Sequence, residues 1–422
     1  MIKRLLKSDT ITQLRSLRGN PRYCVFTEPL WGIPFNLYIP FLTLFMYRLG
    51  LDDGDIGLLV SVGLFLQMFM ALIGGVLTDK FGRRLTTVCA DIVSWTIPTL
   101  LWAFAQDFRW FLVAAIFNSI WHISGVSWQC LLVEDHPEEG VVQLFNWMYI
   151  AGHIAVLFAP LSAYFIGVFS LVPVMRVLLV FASISMTIKF IILFKYCKET
   201  ERGIERLAET KNKSIFSMLL GYKGVIKQAL TTPMTVRVLI LITLLNIQMI
   251  ASSNFFSLYV TEDLGLPEQF LAWFPILRSA IMLVFFIGLQ DKLNKYNMHI
   301  VMIIGLAAFI ISTLLLLAIT PGTLIFLALF IILDACAMAL FLPRRDTMVI
   351  HNTDPTERAR LMSILIVFML GVSSPFGVII GRLSLINRRI PFMINIGLFV
   401  LMGIIVIFER YSRKKAEKSK EG

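Results

Sequence analysis

Twelve apolar runs, each of the ~20 residues or more that a membrane crossing needs, recur along this 422-residue chain and leave it few ways to fold. They fall at roughly 26–49, 55–78, 85–106, 109–133, 141–168, 171–196, 234–261, 268–290, 297–319, 322–345, 358–384 and 389–410. In hydrocarbon every backbone N–H and C=O needs a partner within the protein, so runs of this length are helices. The chain is 57% hydrophobic and 15% charged, which excludes a soluble domain. Its net charge of +11 does not point to nucleic acid, because the Lys and Arg residues sit at the ends of the apolar runs. Cys24, Cys89, Cys130, Cys197 and Cys336 lie far apart without a C-x-x-C, so neither a disulfide framework nor a metal site is indicated, and no cofactor is implied.

The spacing of the runs predicts an all-α membrane protein of two six-helix halves. Residues 1–25 read as a cytoplasmic tail and not as a signal peptide, since they lack a continuous apolar core. Residues 26–197 form the first half and 234–410 the second. Residues 198–233, with Lys198, Arg202, Arg206, Lys211, Lys213, Lys223 and Lys227, read as a cytoplasmic linker carrying amphipathic helix, and 411–422 as a basic tail. Positive charge concentrates in both tails and the linker, which predicts cytoplasmic termini. Arg388 and Arg389, in an outer loop, break that rule, and Glu134 to Glu139 is a cytoplasmic loop without Lys or Arg.

Between the second and third runs lies GGVLTDKFGRRL, residues 74–85. It reads as a short charged hairpin. Gly75 would let a neighbouring backbone approach, and Gly82 would permit a turn with positive φ. Asp79, with Lys80 beside it, is placed to accept from N–H groups opening a helix of the other half, where the helix dipole favours an anion. Arg83 and Arg84 offer forked donors, and Glu134 and Asp135 at the end of the fourth run are their expected partners.

Gly75, Leu77, Asp79, Lys80, Gly82, Arg83 and Arg84 fall on a pattern that resembles the loop signature of the major facilitator superfamily. The resemblance implies twelve helices in two pseudo-symmetric halves, transport by alternating access, and a gating role for this loop. The halves repeat weakly: Gly288 to Lys292 stands where Leu77 to Lys80 stood, Asp354 to Glu357 where Asp135 to Glu139 stood, and Ser374-Pro375 where Ala159-Pro160 stood. Ala155, Ala159, Pro160 and Ala163 resemble the helix-5 signature of drug–proton antiporters, with Ala in place of Gly at each matched position and Tyr164 in place of the last Gly. The small-residue face that this leaves still favours close helix packing.

The resemblance further implies a central cavity lined by helices 1, 4, 7 and 10. Polar side chains at lipid depth face a bundle interior or a cavity. On those helices they include Asn36 and Thr43; Asn118, His122 and Gln129; Asn246, Ser253 and Ser257, with Gln248 and Asn254 flanking; and Asp334. Asp334 lies about 12 residues, ~18 Å, into its helix, and Arg278 lies at similar depth in the eighth. Each alone would cost several kcal/mol in hydrocarbon, so the two should pair. Such a pair is either structural or broken by substrate or protons. On this reading only Asp334 and His122 combine a titratable group, a cavity helix and midplane depth, whereas Lys189 reads as snorkelling to the surface.

The expected function is therefore secondary active transport: proton-linked export of a moderately apolar solute, or uptake of a sugar or other neutral metabolite by symport or uniport. Trp121, Trp128, Met338 and Phe341 favour the first, and the amides favour the second. A polytopic membrane enzyme is more remote, for no H-E-x-x-H or G-x-S-x-G occurs. The expected partners are a small-molecule substrate, protons and the lipid bilayer of the cell membrane, with no nucleic acid and the chain acting as a monomer.

Overall fold

A computed structural model describes residues 17–221, 226, 230–289, 293, 295–320, 324–351 and 358–421. Twelve of its helical segments are long and apolar enough to cross a membrane. In chain order, spans 1 to 6 are Gly19–Arg48, Asp53–Phe81, Arg83–Phe104, Phe108–Val133, Trp147–Phe169 and Leu171–Tyr196. Spans 7 to 12 are Pro233–Asp263, Glu268–Phe285, Met298–Leu317, Ile325–Met348, Met362–Ile386 and Ile390–Ser412. Among the described residues there is no strand.

Span 1 begins at Gly19, inside the stretch read as a tail, and this carries Glu28 about nine residues, ~14 Å, along the helix. Polar Asn20, Arg22 and Glu28 dilute the hydropathy there, which is why the sequence pattern starts the helix late. Span 2 runs on to Phe81 and span 3 starts at Arg83, so Gly82 alone separates them and the expected hairpin is a single-residue corner. Gly82 has φ +86°, a conformation costly for any residue with a Cβ. Span 3 carries a π turn at Ile92–Thr96, immediately after Asp91. Span 5 breaks at Leu157–Phe158, where Pro160 opens the next helix without an N–H to give. The linker forms helices over Glu201–Thr210 and Ile215–Leu220. The last helix continues to Glu421, through the stretch read as a tail.

The halves meet most closely where span 2 crosses span 11. A Cβ on Gly57 would lie 2.4 Å from the Gly377 carbonyl oxygen, and one on Gly381 would lie 2.6 Å from the Asp53 carbonyl oxygen. Ser61 Oγ accepts from the Val378 backbone N–H at 2.8 Å across the same crossing. Small residues let two backbones touch here, which is the main source of helix association in lipid. Gln290, Asp291 and Lys292, and 354–357, on which the half-repeat partly rests, lie outside the described residues.

Candidate functional site: a charged corner and two cavities

At one end of the bundle, around Arg83, the corner motif and the linker lock together. Arg83 donates from Nε to Glu134 Oε2 at 2.9 Å and from Nη1 to Asp79 Oδ1 at 3.1 Å. Arg206 of the linker helix donates to the other Asp79 oxygen at 3.0 Å, and Lys80 Nζ to the Lys213 carbonyl at 2.6 Å. Asp135 Oδ1 accepts from the Glu201 backbone N–H at 3.1 Å. Thr200 Oγ1 donates to Glu134. Burial pushes the Glu134 carboxyl up, but the hydrogen bonds from Arg83 and Thr200 outweigh it and hold it below the ordinary glutamate value.

Three expectations change here. Asp79 bonds Arg83 and the linker, not a helix of the other half. The helix N-terminus at Arg83 does take an anion, but it is Glu199, accepting from the Arg83 and Arg84 backbone N–H groups at 2.7 and 3.1 Å. Arg84 and Asp135 take other partners than each other, the Arg84 guanidinium donating to the Cys197 carbonyl at 3.4 Å and Asp135 accepting from Asn20 and from the Glu201 backbone, while backbones approach closely at Gly74, where a Cβ would lie 3.3 Å from Ile123 Cα. Sequence spacing gives the charged cluster but not which carboxylate the chain folds back to supply.

At the opposite end, around Arg388, ion pairs join the two halves directly. Arg388 donates to both Asp53 oxygens at 3.0 Å and to Asp263 at 3.1 Å. Ser384 donates to the same Asp53. Arg48 pairs with Glu262 at 2.9 Å and Glu268 at 2.8 Å. The guanidinium that breaks the charge rule is thus neutralised by carboxylates of both halves.

Two cavities lie between these ends. The first, about 420 Å³, is walled by spans 1, 3, 4 and 6 of the first half. Trp31, Trp95, Trp121, Trp128 and Phe35 line it, with Gln129. Trp31 stacks on Phe35 at 4.7 Å and meets Trp95 edge-on at 5.1 Å. Its charged lining residues are Glu28, Asp91 and Lys189. Lys189 is buried, not snorkelling: its Nζ lies 2.7 Å from Glu28 Oε2 and sits over the Trp31 and Trp128 rings at 5.8 and 5.6 Å. Measured along their own helices from the Arg83 end, Glu28, Asp91 and Lys189 lie about 14, 12 and 10 Å in. Asp334 and His122 are therefore not the only titratable groups at depth.

The second cavity, about 290 Å³, lies between the halves. Thr43, Gln67 and Asn118 line it from the first half, and Ser253 and Asn254 from the second. Asn118 also donates to the Ser94 carbonyl at 2.9 Å, beside the π turn. Ser253 and Asn254 stand on the expected polar side of span 7, whereas Gln67, from span 2, was not among the expected lining residues.

Asn36, His122, Asn246, Gln248 and Asp334 line neither cavity. Asn36 donates to the Gly32 carbonyl of its own helix and Gln248 to Ser252. The His122 ring stacks on Trp121 at 4.0 Å, with Nε2 buried. Asn246 buries its Nδ2. Arg278 Nη2 lies 2.6 Å from Asp334 Oδ2, joining spans 8 and 10.

Twelve spans, a charged corner and cavities within and between two halves are those of a multi-pass integral membrane transporter of small molecules, not an enzyme. The chain belongs to the Major Facilitator Superfamily, whose profile matches residues 31–300 and 293–422. It is similar to the quinolone resistance protein NorA of Staphylococcus aureus (strain N315), 28% identical over 85 residues. That match takes in 20% of this chain and 22% of the relative, so the chain spans about a fifth of the length of the curated relatives it matches. In fold it is similar to the nucleoside transporter NupG, with TM-score 0.70 and 16% identity over 92% of this chain and 98% of that one. A POT family transporter in complex with 5-aminolevulinic acid gives TM-score 0.69 and 14% identity over 94% and 96%.

Proposed function

We propose that this transporter is a secondary active exporter, proton-linked, of moderately apolar small molecules, working by alternating access. The observation that carries the proposal is the first cavity, whose wall is mostly tryptophan and phenylalanine with a few charged groups set into it. Its volume lies in the ~300–1,000 Å³ range of small-molecule sites, and apolar walls with sparse polar groups suit apolar ligands. The partial likeness to a quinolone resistance protein supports the same class. In this reading the termini and linker are cytoplasmic, in the cell membrane. The Arg83 corner then faces the cytosol, and the Arg388 network closes the outer end. The Asp334–Arg278 pair is the proposed coupling site, Asp334 taking a proton when it parts from Arg278 and losing it when they pair.

Uptake of a hydroxylated neutral solute is the second reading. It is favoured by the amides and hydroxyls of the cavity between the halves, Asn118, Gln67, Ser253 and Asn254. A thermal-stability screen of the purified protein separates the two. A ligand present at ~100 times its Kd stabilises the folded protein by ~2.7 kcal/mol. Stabilisation by apolar aromatic solutes and not by sugars or nucleosides is expected, and the reverse pattern would replace the first reading with the second.

A further inference from the structure

We infer that the first-half cavity is a binding site for an organic monocation with an aromatic or apolar body, and that the Lys189 ammonium is a tethered occupant of that cation's place. The inference deepens the export reading and rests on it for its physiological sense.

Its basis is a charge imbalance inside an aromatic cage. The charged side chains lining the cavity are two acids, Glu28 and Asp91, and one base, Lys189. Glu28 and Lys189 satisfy each other at 2.7 Å. Asp91 is 7% exposed and shares the same space. Its neighbours are the Ser124 hydroxyl and the same Lys189 ammonium. One ammonium balances only one of two carboxylates, so with both ionised the cavity accommodates one further unit of positive charge.

The walls favour the same ligand. An aromatic face within about 6 Å attracts a cation through its quadrupole, and more strongly where water is excluded. Lys189 already shows that geometry, its Nζ lying 5.8 Å from the Trp31 ring and 5.6 Å from Trp128. Trp95 and Trp121 complete the wall beside Asp91, leaving about 420 Å³ for an apolar body. An anion would meet two carboxylates and the negative faces of the rings. A neutral ligand would leave Asp91 only Ser124 and a lysine already paired with Glu28.

Tryptophan fluorescence tests this on the purified full-length protein, because four of its eight tryptophans line the cavity. The probes are benzyltrimethylammonium, its neutral carbon analogue neopentylbenzene, and phenylacetate. Saturable quenching by the cation, at least ~10-fold tighter than by either other probe, is expected. Asp91→Asn should weaken the cation at least ~10-fold.

The double variant Glu28→Gln with Lys189→Gln removes both members of the pair and keeps the same net charge. It should bind the cation more tightly, by several-fold, because the tethered competitor is gone. A merely structural pair would weaken binding or leave it unchanged when removed. Circular dichroism and gel filtration confirm that each variant is folded, and a variant that fails this is replaced by Asp91→Ser or by Trp121→Leu, which should also weaken the cation. Equal affinity for the neutral analogue, or cation affinity unaltered by loss of Asp91, would overturn the inference. Binding without flux in liposomes would instead count against the transport reading and leave the site intact.

Discussion

Asp53→Asn should open the Arg388 end of the molecule. Asp53 has a side chain 2% exposed and takes both forks of Arg388 at 3.0 Å, with Ser384 as a third donor. Removing one member of a buried ion pair costs about 3–5 kcal/mol. Arg388 is itself 18% exposed and keeps Asp263 at 3.1 Å, and the introduced amide still offers one acceptor. Those residual contacts and solvent screening reduce the figure to about 1–3 kcal/mol. The cost falls only on the conformer in which the halves meet at this end, so it shifts the conformational equilibrium about 5- to 150-fold. Spin labels at Gln106→Cys and Ile386→Cys, in a background without the native cysteines, place one probe on each half at that end. Double electron–electron resonance should show the short-distance population of the parent giving way to a longer one in Asp53→Asn. An unchanged distance distribution would refute the claim that this network holds the end closed.

Three further outcomes follow from the same geometry. Gly82→Leu and Asp79→Asn should each reduce transport at least ~10-fold with ligand affinity little changed: a Cβ at Gly82 would lie 2.6 Å from Glu199 Oε2 at φ +86°, and Asp79 holds both Arg83 and Arg206. Initial-rate flux against binding on the same preparations checks this, and an equal loss in both would place the substrate at the corner. The Glu134 carboxyl, held low by Arg83, stabilises the corner fully above the unfolded value of ~4.3 and loses that contribution as pH falls through its depressed folded value. Hydrogen exchange of 201–210 should therefore be slow at pH 7 and accelerate only in that acid window, beyond the intrinsic pH dependence of exchange; protection that persists below it would contradict the linkage. Single cysteines at positions 52 and 212 should differ in intact cells, an impermeant reagent reaching 52 and not 212, and the opposite pattern would invert the topology.

The sequence-to-structure relation differs between the two ends and the middle. All twelve spans are legible because backbone satisfaction in lipid demands long apolar runs, and hydropathy reports those directly. The Arg83 corner is legible because its charges interrupt apolar sequence within a few residues. Its wiring is not: Glu199 and Arg206 lie more than a hundred residues from the groups they bind. Asp334 and Arg278 are found by equal depth in two clear helices. Glu28, Asp91 and Lys189 escape the same reasoning for separate reasons. Glu28 lies where polar residues hide the true start of span 1. Asp91 lies close behind the Arg83–Arg84 pair, at the edge of a π turn that a 3.6-residue period does not anticipate. Lys189 is 161 residues from its partner, and a lone lysine in an apolar run looks like one that reaches for the surface.

Proton-driven transport is tested most directly in liposomes containing the purified protein, with labelled benzyltrimethylammonium outside, an acidic lumen and the membrane potential clamped at zero. Exchange of protons for the cation should concentrate it in the lumen above the outside level, a protonophore should release it, and Asp334→Asn should bring it only to equilibrium. Uphill accumulation that survives in Asp334→Asn would remove Asp334 as the coupling group. Failure of the unaltered protein to concentrate the cation, when fluorescence shows that it binds, would contradict proton-linked export itself.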